Sequence, residues 1–159
     1  MTAPTTFVSG AILTAAQMNA LPWGIVDATA GGTSGRGWVN SGTNFTMTTT
    51  VADVTSMTVT WTAVAGRLYR ASFSAMPDNV GTAQYCFVYL TNAANTIQAE
   101  RQVPIAASLP NSISLERVFT GLTGSQTLKI RAGVSAASNA ILSGSARFGF
   151  SIEDIGPST

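Results

Sequence analysis

The chain has 159 residues, which is enough for one domain with its own core plus a short appendage and too few for two ordinary domains. Eight Lys and Arg residues against seven Asp and Glu give a formal net charge of +1, which supplies no field to attract nucleic acid or an anionic membrane. Histidine is absent and Cys86 is the only cysteine, so one chain cannot build a Ser-His-Asp or Cys-His site, a histidine metal site or an internal disulfide.

The composition also bears on assembly and chemistry. Charged residues make up 9% of the chain, and Thr, Ser, Ala, Gly and Asn fill the positions that charges usually occupy. A surface this poor in charge indicates that part of it is buried against other subunits. We therefore expect a self-associating protein that is not an enzyme, with no catalytic residue, no metal, no cofactor, no nucleic-acid partner and no membrane partner.

Residues 7–26 carry the only convincing helical signals. Thr14 stands three residues before Gln17, the spacing of a capping box, and Leu13 and Met18 flank the cap as a hydrophobic staple. A proline that follows limits the helix to about two turns, and so short a helix needs a partner surface to stay ordered. The side chains expected to dock on that surface are Phe7, Ile12, Leu13, Thr14, Gln17, Met18, Leu21 and Trp23.

The beginning of the chain lacks the basic region of a secretory signal, and Gln17 and Asn19 interrupt its apolar run. We therefore expect cytoplasmic synthesis and no membrane span. Residues 28–37 contain four glycines and no large apolar side chain, the composition of a flexible linker. The expected organisation is a docking segment (1–27), a Gly-rich linker (28–37) and a folded body (38–159).

From Trp38 onward the dominant pattern is period-two alternation. The clearest case is 56–62, where Met57, Val59 and Trp61 share one face and threonines share the other, as in a half-buried strand. The same pattern predicts further strands over 68–75, 84–91, 96–103, 112–120, 126–134, 140–143 and 146–155.

Turns and strand polarity complete this prediction. Both faces of 84–91 are apolar, which predicts a central strand, whereas the more polar 96–103 is expected at an edge. Residues 76–81 and 104–111 are expected to be loops. About eight to ten short strands joined by Gly, Asn and Pro turns indicate an all-β protein, an antiparallel sandwich with jelly-roll topology.

Tyr85 and Tyr89 have two interpretations. With Trp61 nearby, they could form an aromatic platform that contacts a glycan. Packing into the sandwich core or around a trimer axis explains the same tyrosines as simply. The sequence leaves both open.

The remaining reactive side chains have structural explanations. Glu153 and Asp154 are neighbours on a strand and point to opposite faces, which favours ion pairs over a catalytic pair. Asp78 and Asn79 offer too few oxygens for calcium and fit a turn. Cys86 fits a small buried hydrophobe. The arginines are expected to pair with Glu100, Glu116 and Glu153 across subunits, and they are Arg67, Arg70, Arg101, Arg117, Arg131 and Arg147.

Two parts of the chain resemble a known group of proteins. Residues 10–24, GAILTAAQMNALPWG, resemble the amino-terminal docking segments of small tailed-bacteriophage virion proteins, particularly from phages of actinobacteria. The stretches 61–70, 130–132 and 150–157 resemble the trimeric jelly rolls of phage fibres and head decorations, which share their shape with the heads of tumour necrosis factor and C1q.

The resemblance implies a homotrimer that is made in the host cytoplasm and mounted on the virion through its amino termini. Its partners would be other copies of itself and capsid or tail proteins, in the role of a minor tail protein, head fibre or capsid decoration. A module that binds a host-surface polysaccharide through Tyr85 and Tyr89 is the main alternative. A glycan hydrolase is the remote one.

Overall fold

The computed structural model describes residues 24–25, 39–40, 43–79, 81–106, 111–136, 140–142 and 148–158. All regular elements in this part of the chain are strands, and it contains no helix of the length and apolarity that crossing a bilayer requires. The helix expected within residues 7–26 and most of the linker expected at 28–37 lie outside the described residues. The strands are β1 (Gly24–Ile25), β2 (Val39–Asn40), β3 (Phe45–Thr46), β4 (Ala52–Ala63), β5 (Arg67–Ala75), β6 (Pro77–Asn79), β7 (Gln84–Asn92), β8 (Ile97–Ile105), β9 (Ile113–Phe119), β10 (Gly124–Val134), β11 (Ala140–Leu142) and β12 (Gly149–Pro157).

The strands form two main antiparallel sheets and a small third one. One main sheet has the order β1-β12-β5-β9, with β2 also paired to β12, and the other has the order β4-β10-β7-β8. Four of the antiparallel pairs are nested in sequence: β2 with β12, β4 with β10, β5 with β9, and β7 with β8. A long hairpin rolled across two sheets produces this nesting, so the expected jelly-roll sandwich is confirmed.

The core lies between the two main sheets, as the alternation predicts. Met57, Val59 and Trp61 of β4 are buried, while Thr60 and Thr62 between and beyond them are exposed. Strands β5 and β10 also bury alternate apolar residues, whereas the first four residues of β12 are all buried. The largest fully buried side chains come from several strands of both sheets and from the segments beside them: Tyr69, Phe148, Phe150, Met47, Met57, Leu90, Ile105, Ile113, Ile130, Leu142 and Ile152.

Strands β7 and β8 take the expected positions within their sheet. β7 lies between β10 and β8, and β8 forms the edge. β8 continues through Pro104 to Ile105, so the connection expected to start at Pro104 begins later. Proline has no backbone N–H to donate. It is tolerated in an edge strand, because one side of such a strand forms no hydrogen bonds with a neighbouring strand.

The loop expected at 76–81 is partly wrong. Pro77–Asn79 forms β6, which pairs with β11, so that Pro77 faces Leu142 and Asp78 faces Ile141. Proline and aspartate are poor strand formers, and the local sequence therefore suggests a turn. The pairing with a distant strand overrides that local preference.

Cys86 is buried, as predicted, and makes no disulfide. Its Sγ donates to Sδ of Met47 at 3.5 Å, which fixes the thiol inside the core. Burial raises the pKa of the Cys86 thiol to about 12. The thiolate is the nucleophilic form, so this cysteine is unreactive at neutral pH in the folded protein.

Candidate functional site

The predicted docking residues cannot be compared with the structure. Phe7, Ile12, Leu13, Thr14, Gln17, Met18, Leu21 and Trp23 all lie outside the described residues. The described part begins at Gly24, which pairs with Asp154, while Ile25 pairs with Glu153. The end of the segment assigned to docking therefore adds a short strand to the edge of β12.

The described residues include one surface that combines aromatic and polar side chains. On β7, Cys86, Val88 and Leu90 face the core, while Tyr85, Phe87 and Tyr89 alternate with them on the opposite face. Tyr85 is 49% exposed, and Phe87 and Tyr89 are half-buried. We call these three side chains the β7 aromatic row. Its position excludes the interpretation in which the tyrosines fill the sandwich core.

Trp61 does not belong to this row. It is 5% exposed, lies on the core face of β4 and packs on Tyr69 with ring centroids 5.7 Å apart. The suggestion that Trp61 joins the two tyrosines in one platform is therefore wrong. Alternation correctly predicts which residues share a face within β4 and within β7. It does not tell whether the face that holds Trp61 and the face that holds the two tyrosines lie on the same side of the sheet. Nε1 of Trp61 is buried and has no hydrogen-bond partner among the described residues, and we have no physical explanation for it.

Strand register places polar side chains on both sides of the aromatic row. Tyr89 lies opposite Glu100 of β8 on one side and opposite Arg131 of β10 on the other. Phe87 lies opposite Gln102 of β8. Directly paired residues on one sheet face have Cβ atoms about 4.5–5.5 Å apart, so these side chains are in contact range.

A groove opens on this face along the boundary of β7 and β8. We call it the β7–β8 groove, and its volume is about 350 Å³. Its lining consists of Phe87, Tyr89, Glu100, Arg101 and Gln102. Aromatic rings, a carboxylate and an amide thus meet in one groove, because Glu100 and Gln102 pair with Tyr89 and Phe87.

The β10 side of the aromatic row is closed by backbone. The Val134 amide donates to the Thr48 carbonyl at 2.9 Å, and Nη2 of Arg131 donates to the Val51 carbonyl at 2.9 Å. A Cβ added to Gly133 would lie 3.0 Å from Cγ2 of Val51 and 3.2 Å from the Thr48 carbonyl oxygen. Gly133 pairs with Phe87 of β7, and its lack of a side chain allows residues 48–51 to lie close to β10 at this point.

The cations beside the aromatic row are already paired. Nζ of Lys129 donates to Asp53 at 2.7 Å, and Nε of Arg131 donates to the same carboxylate at 2.8 Å. The hydrogen bond from Lys129, with added help from Arg131, holds the pKa of the Asp53 carboxyl below its ordinary value. This carboxylate is half exposed and stays ionised at neutral pH, so both cations keep a partner.

The acidic pair at the end of β12 is also satisfied within the chain. Nη2 of Arg70 donates to Glu153 at 2.5 Å, and Arg67 makes a bidentate contact with Asp154 at 2.5 to 3.0 Å. Glu153 therefore already has an arginine partner within its own chain, whereas its pairing across subunits stays a prediction. Cross-strand pairing of β5 with β12 brings the partners together, which the separate strand patterns do not reveal.

The described residues contain no cluster of three or more potential metal-ligating side chains. Asp78 lies on β6 instead of a free turn. Neither Glu100 nor Glu116 forms a salt bridge in the described part of the chain. Glu153, with the Glu116 carboxylate adding to its effect, raises the pKa of Arg70, and Ser72 donates to Glu116 at 3.3 Å. The guanidinium of Arg117 lies 5.2 Å from the ring centre of Phe119, in cation–π range.

Sequence reasoning named Tyr85 and Tyr89 but missed the groove residues Phe87, Glu100 and Gln102. Phe87 could have been found, because it shares the face of both tyrosines by period two. The polar pair could not, because it belongs to β8 and reaches the groove through strand register. The register of β7 with β8 shifts between Leu90 and Thr91, and the sequence of either strand alone does not predict that shift.

No protein-family model matches the chain, and no curated protein matches it. Solved structures with similarity include a CBM4 structure, at 11% identity and a TM-score of 0.36, covering 61% of this chain and 59% of that one. The infectious bursal disease virus VP2 subviral particle gives 11% identity and a TM-score of 0.39, covering 73% and 35%. The arabinose-bound MgGH51 α-L-arabinofuranosidase has 16% sequence identity and a TM-score of 0.36, and the match covers 70% of this chain and 19% of that one.

The chain thus spans less than two thirds of each of these proteins. At such identities and TM-scores the similarities support no inference about ligand, partner or activity.

Proposed function

We propose that this chain is a non-enzymatic structural component of a tailed-phage virion, a minor tail protein, head fibre or capsid decoration. It docks through its N-terminal segment and displays a trimeric jelly roll. The proposal rests on the resemblance of residues 10–24 to phage docking segments. One structural observation supports it most: all eight strands of the nested jelly-roll set lie between Val39 and Pro157. The body therefore closes its sheets without the docking residues.

Surface chemistry supports self-association. The outward side chains of β5 are largely small, with Ser72 and Ser74 between strands β9 and β12. Val118 on β9 and Ile155 on β12 are 46% and 40% exposed, although both are large and apolar. Contact with another copy would remove this apolar area from water, and each Å² buried would stabilise the assembly by roughly 25 cal/mol.

Native mass spectrometry of the full chain tests the trimer. We expect a mass three times that of the 16.4 kDa chain at micromolar concentration. Val118→Ser should shift the population toward monomer if the apolar side chain lies in the interface, while Thr62→Ser, at an exposed position of the other sheet, serves as the control. A wild-type protein that remains monomeric at this concentration would contradict the trimer.

The β7 aromatic row favours a second function, recognition of a host-surface polysaccharide. Exposed tyrosine presents a flat apolar face and a hydroxyl, a combination suited to sugar rings. The full chain, labelled with a fluorophore, is expected to bind host cells and to lose that binding when their surface polysaccharide is stripped. Equal binding to stripped cells would exclude this function.

A further inference from the structure

We infer that the β7–β8 groove binds an electrically neutral, hydroxyl-rich saccharide, with Tyr89 and Phe87 stacking on a sugar ring and Glu100 and Gln102 bonding its hydroxyls. This inference rests on the second function above and goes beyond it, because it names the subsite and the chemical class of the sugar. The aromatic row alone would permit any flat ligand. The polar groups of the groove restrict the choice.

The groove is open and mainly polar, and it has the size of a small-molecule site. Its volume of about 350 Å³ lies at the lower end of the range of roughly 300–1,000 Å³ found for ligand pockets. Phe87 and Tyr89 are half-buried, so their rings are held by neighbours while part of each stays accessible. A rigid aromatic surface binds a ring at low cost in side-chain entropy.

The polar groups of the groove are open to a ligand. Among the described residues, nothing bonds the side chains of Glu100, Arg101 or Gln102, although each is exposed to solvent. An ionised carboxylate only accepts hydrogen bonds, whereas an amide both donates and accepts. Sugar hydroxyls, which donate and accept, match this set. Apolar ligands do not.

Charge favours a neutral saccharide over an acidic one. Lys129 and Arg131 are committed to Asp53, so they do not offer a free cation to the groove. Arg101 pairs with the core-facing Val88, so alternation directs its side chain away from the face of Tyr89, and the Glu100 carboxylate is the charge opposite Tyr89. A sugar acid would meet that carboxylate as a like charge, which disfavours binding.

Isothermal titration of the full chain tests the inference with matched ligands. The neutral probes are hexasaccharides of glucose, mannose and galactose, and the acidic probe is hexagalacturonate, which differs from the galactose probe chiefly by its carboxylates. We expect at least one neutral probe to bind, about tenfold or more tighter than hexagalacturonate. Tyr89→Ala and Glu100→Gln should each weaken that binding about tenfold.

Two control variants keep the result specific. Glu116→Gln changes a carboxylate on the other main sheet and should leave binding unchanged. Val64→Ala trims an exposed apolar side chain just after β4, outside the groove lining, and should have an effect of twofold or less. Glu100→Gln is nearly isosteric, so it tests the groove even if Tyr89→Ala disturbs the fold.

Several outcomes would overturn the inference, and they are distinguishable from failure of the wider function. Wild-type binding to host polysaccharide that is unchanged in Glu100→Gln and Tyr89→Ala would place recognition elsewhere on the chain. Equal or tighter binding of hexagalacturonate would refute the neutral class. A loss of the trimer in Glu100→Gln would make the groove a subunit contact. Absence of any binding to probes and cells would remove the second function as well.

Discussion

Removal of residues 2–22 is expected to leave the jelly roll folded and to abolish uptake of the protein into phage particles. The deletion keeps Gly24–Ile25, so the pairing of β1 with β12 is retained. All nested strand pairs lie after it, so the free energy of unfolding of the body should change little. The docking residues from Phe7 to Leu21 are lost and Trp23 alone is kept, so most of the surface that we propose binds the virion is removed.

Tagged full-length and truncated proteins are expressed during infection, and gradient-purified particles are probed for the tag. The matched control is removal of residues 2–6, which spares every predicted docking side chain and should permit normal uptake. Circular dichroism and native mass report the fold of each variant. Normal uptake of the 2–22 deletion would contradict docking through this segment, and loss of its fold would contradict an independent jelly roll.

Phe150→Ala is expected to destabilise the jelly roll more than any surface change. Phe150 is fully buried on β12 and lies opposite Phe73 of β5, which in turn lies opposite Leu115 of β9. Truncating a buried aromatic side chain costs about 3–5 kcal/mol, because its transfer energy is lost and a cavity remains. A domain is stable by only about 5–15 kcal/mol, so much of the total would go.

Equilibrium denaturation in urea measures this loss, at one fixed protein concentration because association adds to apparent stability. The control is Tyr85→Ala, an aromatic truncation at a 49% exposed position, which should cost about 0.5 kcal/mol. A Phe150→Ala protein no less stable than Tyr85→Ala would place Phe150 outside the core.

Much of the fold is predictable because period two is a local property. Burial of alternate residues in β4, β5 and β10 follows directly from the pattern of apolar and polar side chains. The central position of β7 and the edge position of β8 were predicted from the same pattern of apolar and polar side chains, since a strand with two apolar faces must be covered on both. Chain-wide counts of turns and strands then suggested a sandwich.

Pairing between distant strands is what sequence patterns do not provide. The ion pairs Arg67–Asp154 and Arg70–Glu153 join residues more than eighty positions apart, and β6 exists because β11 supplies its partner. The groove has the same origin, since Glu100 meets Tyr89 through the register of a hairpin. From the local sequence alone, β6 was expected to be a turn and Glu153 was expected to contact another subunit. Nothing in the local sequence placed a polar partner beside Tyr89.

The location of the protein in purified virions tests the central claim most directly. Cryo-electron microscopy of particles should reveal trimeric jelly-roll density projecting from the capsid or tail, with the N-terminal segment at the attached end. Particles that carry the same density after deletion of the gene for this chain, or that contain none of the protein by mass spectrometry, would contradict a structural role in the virion.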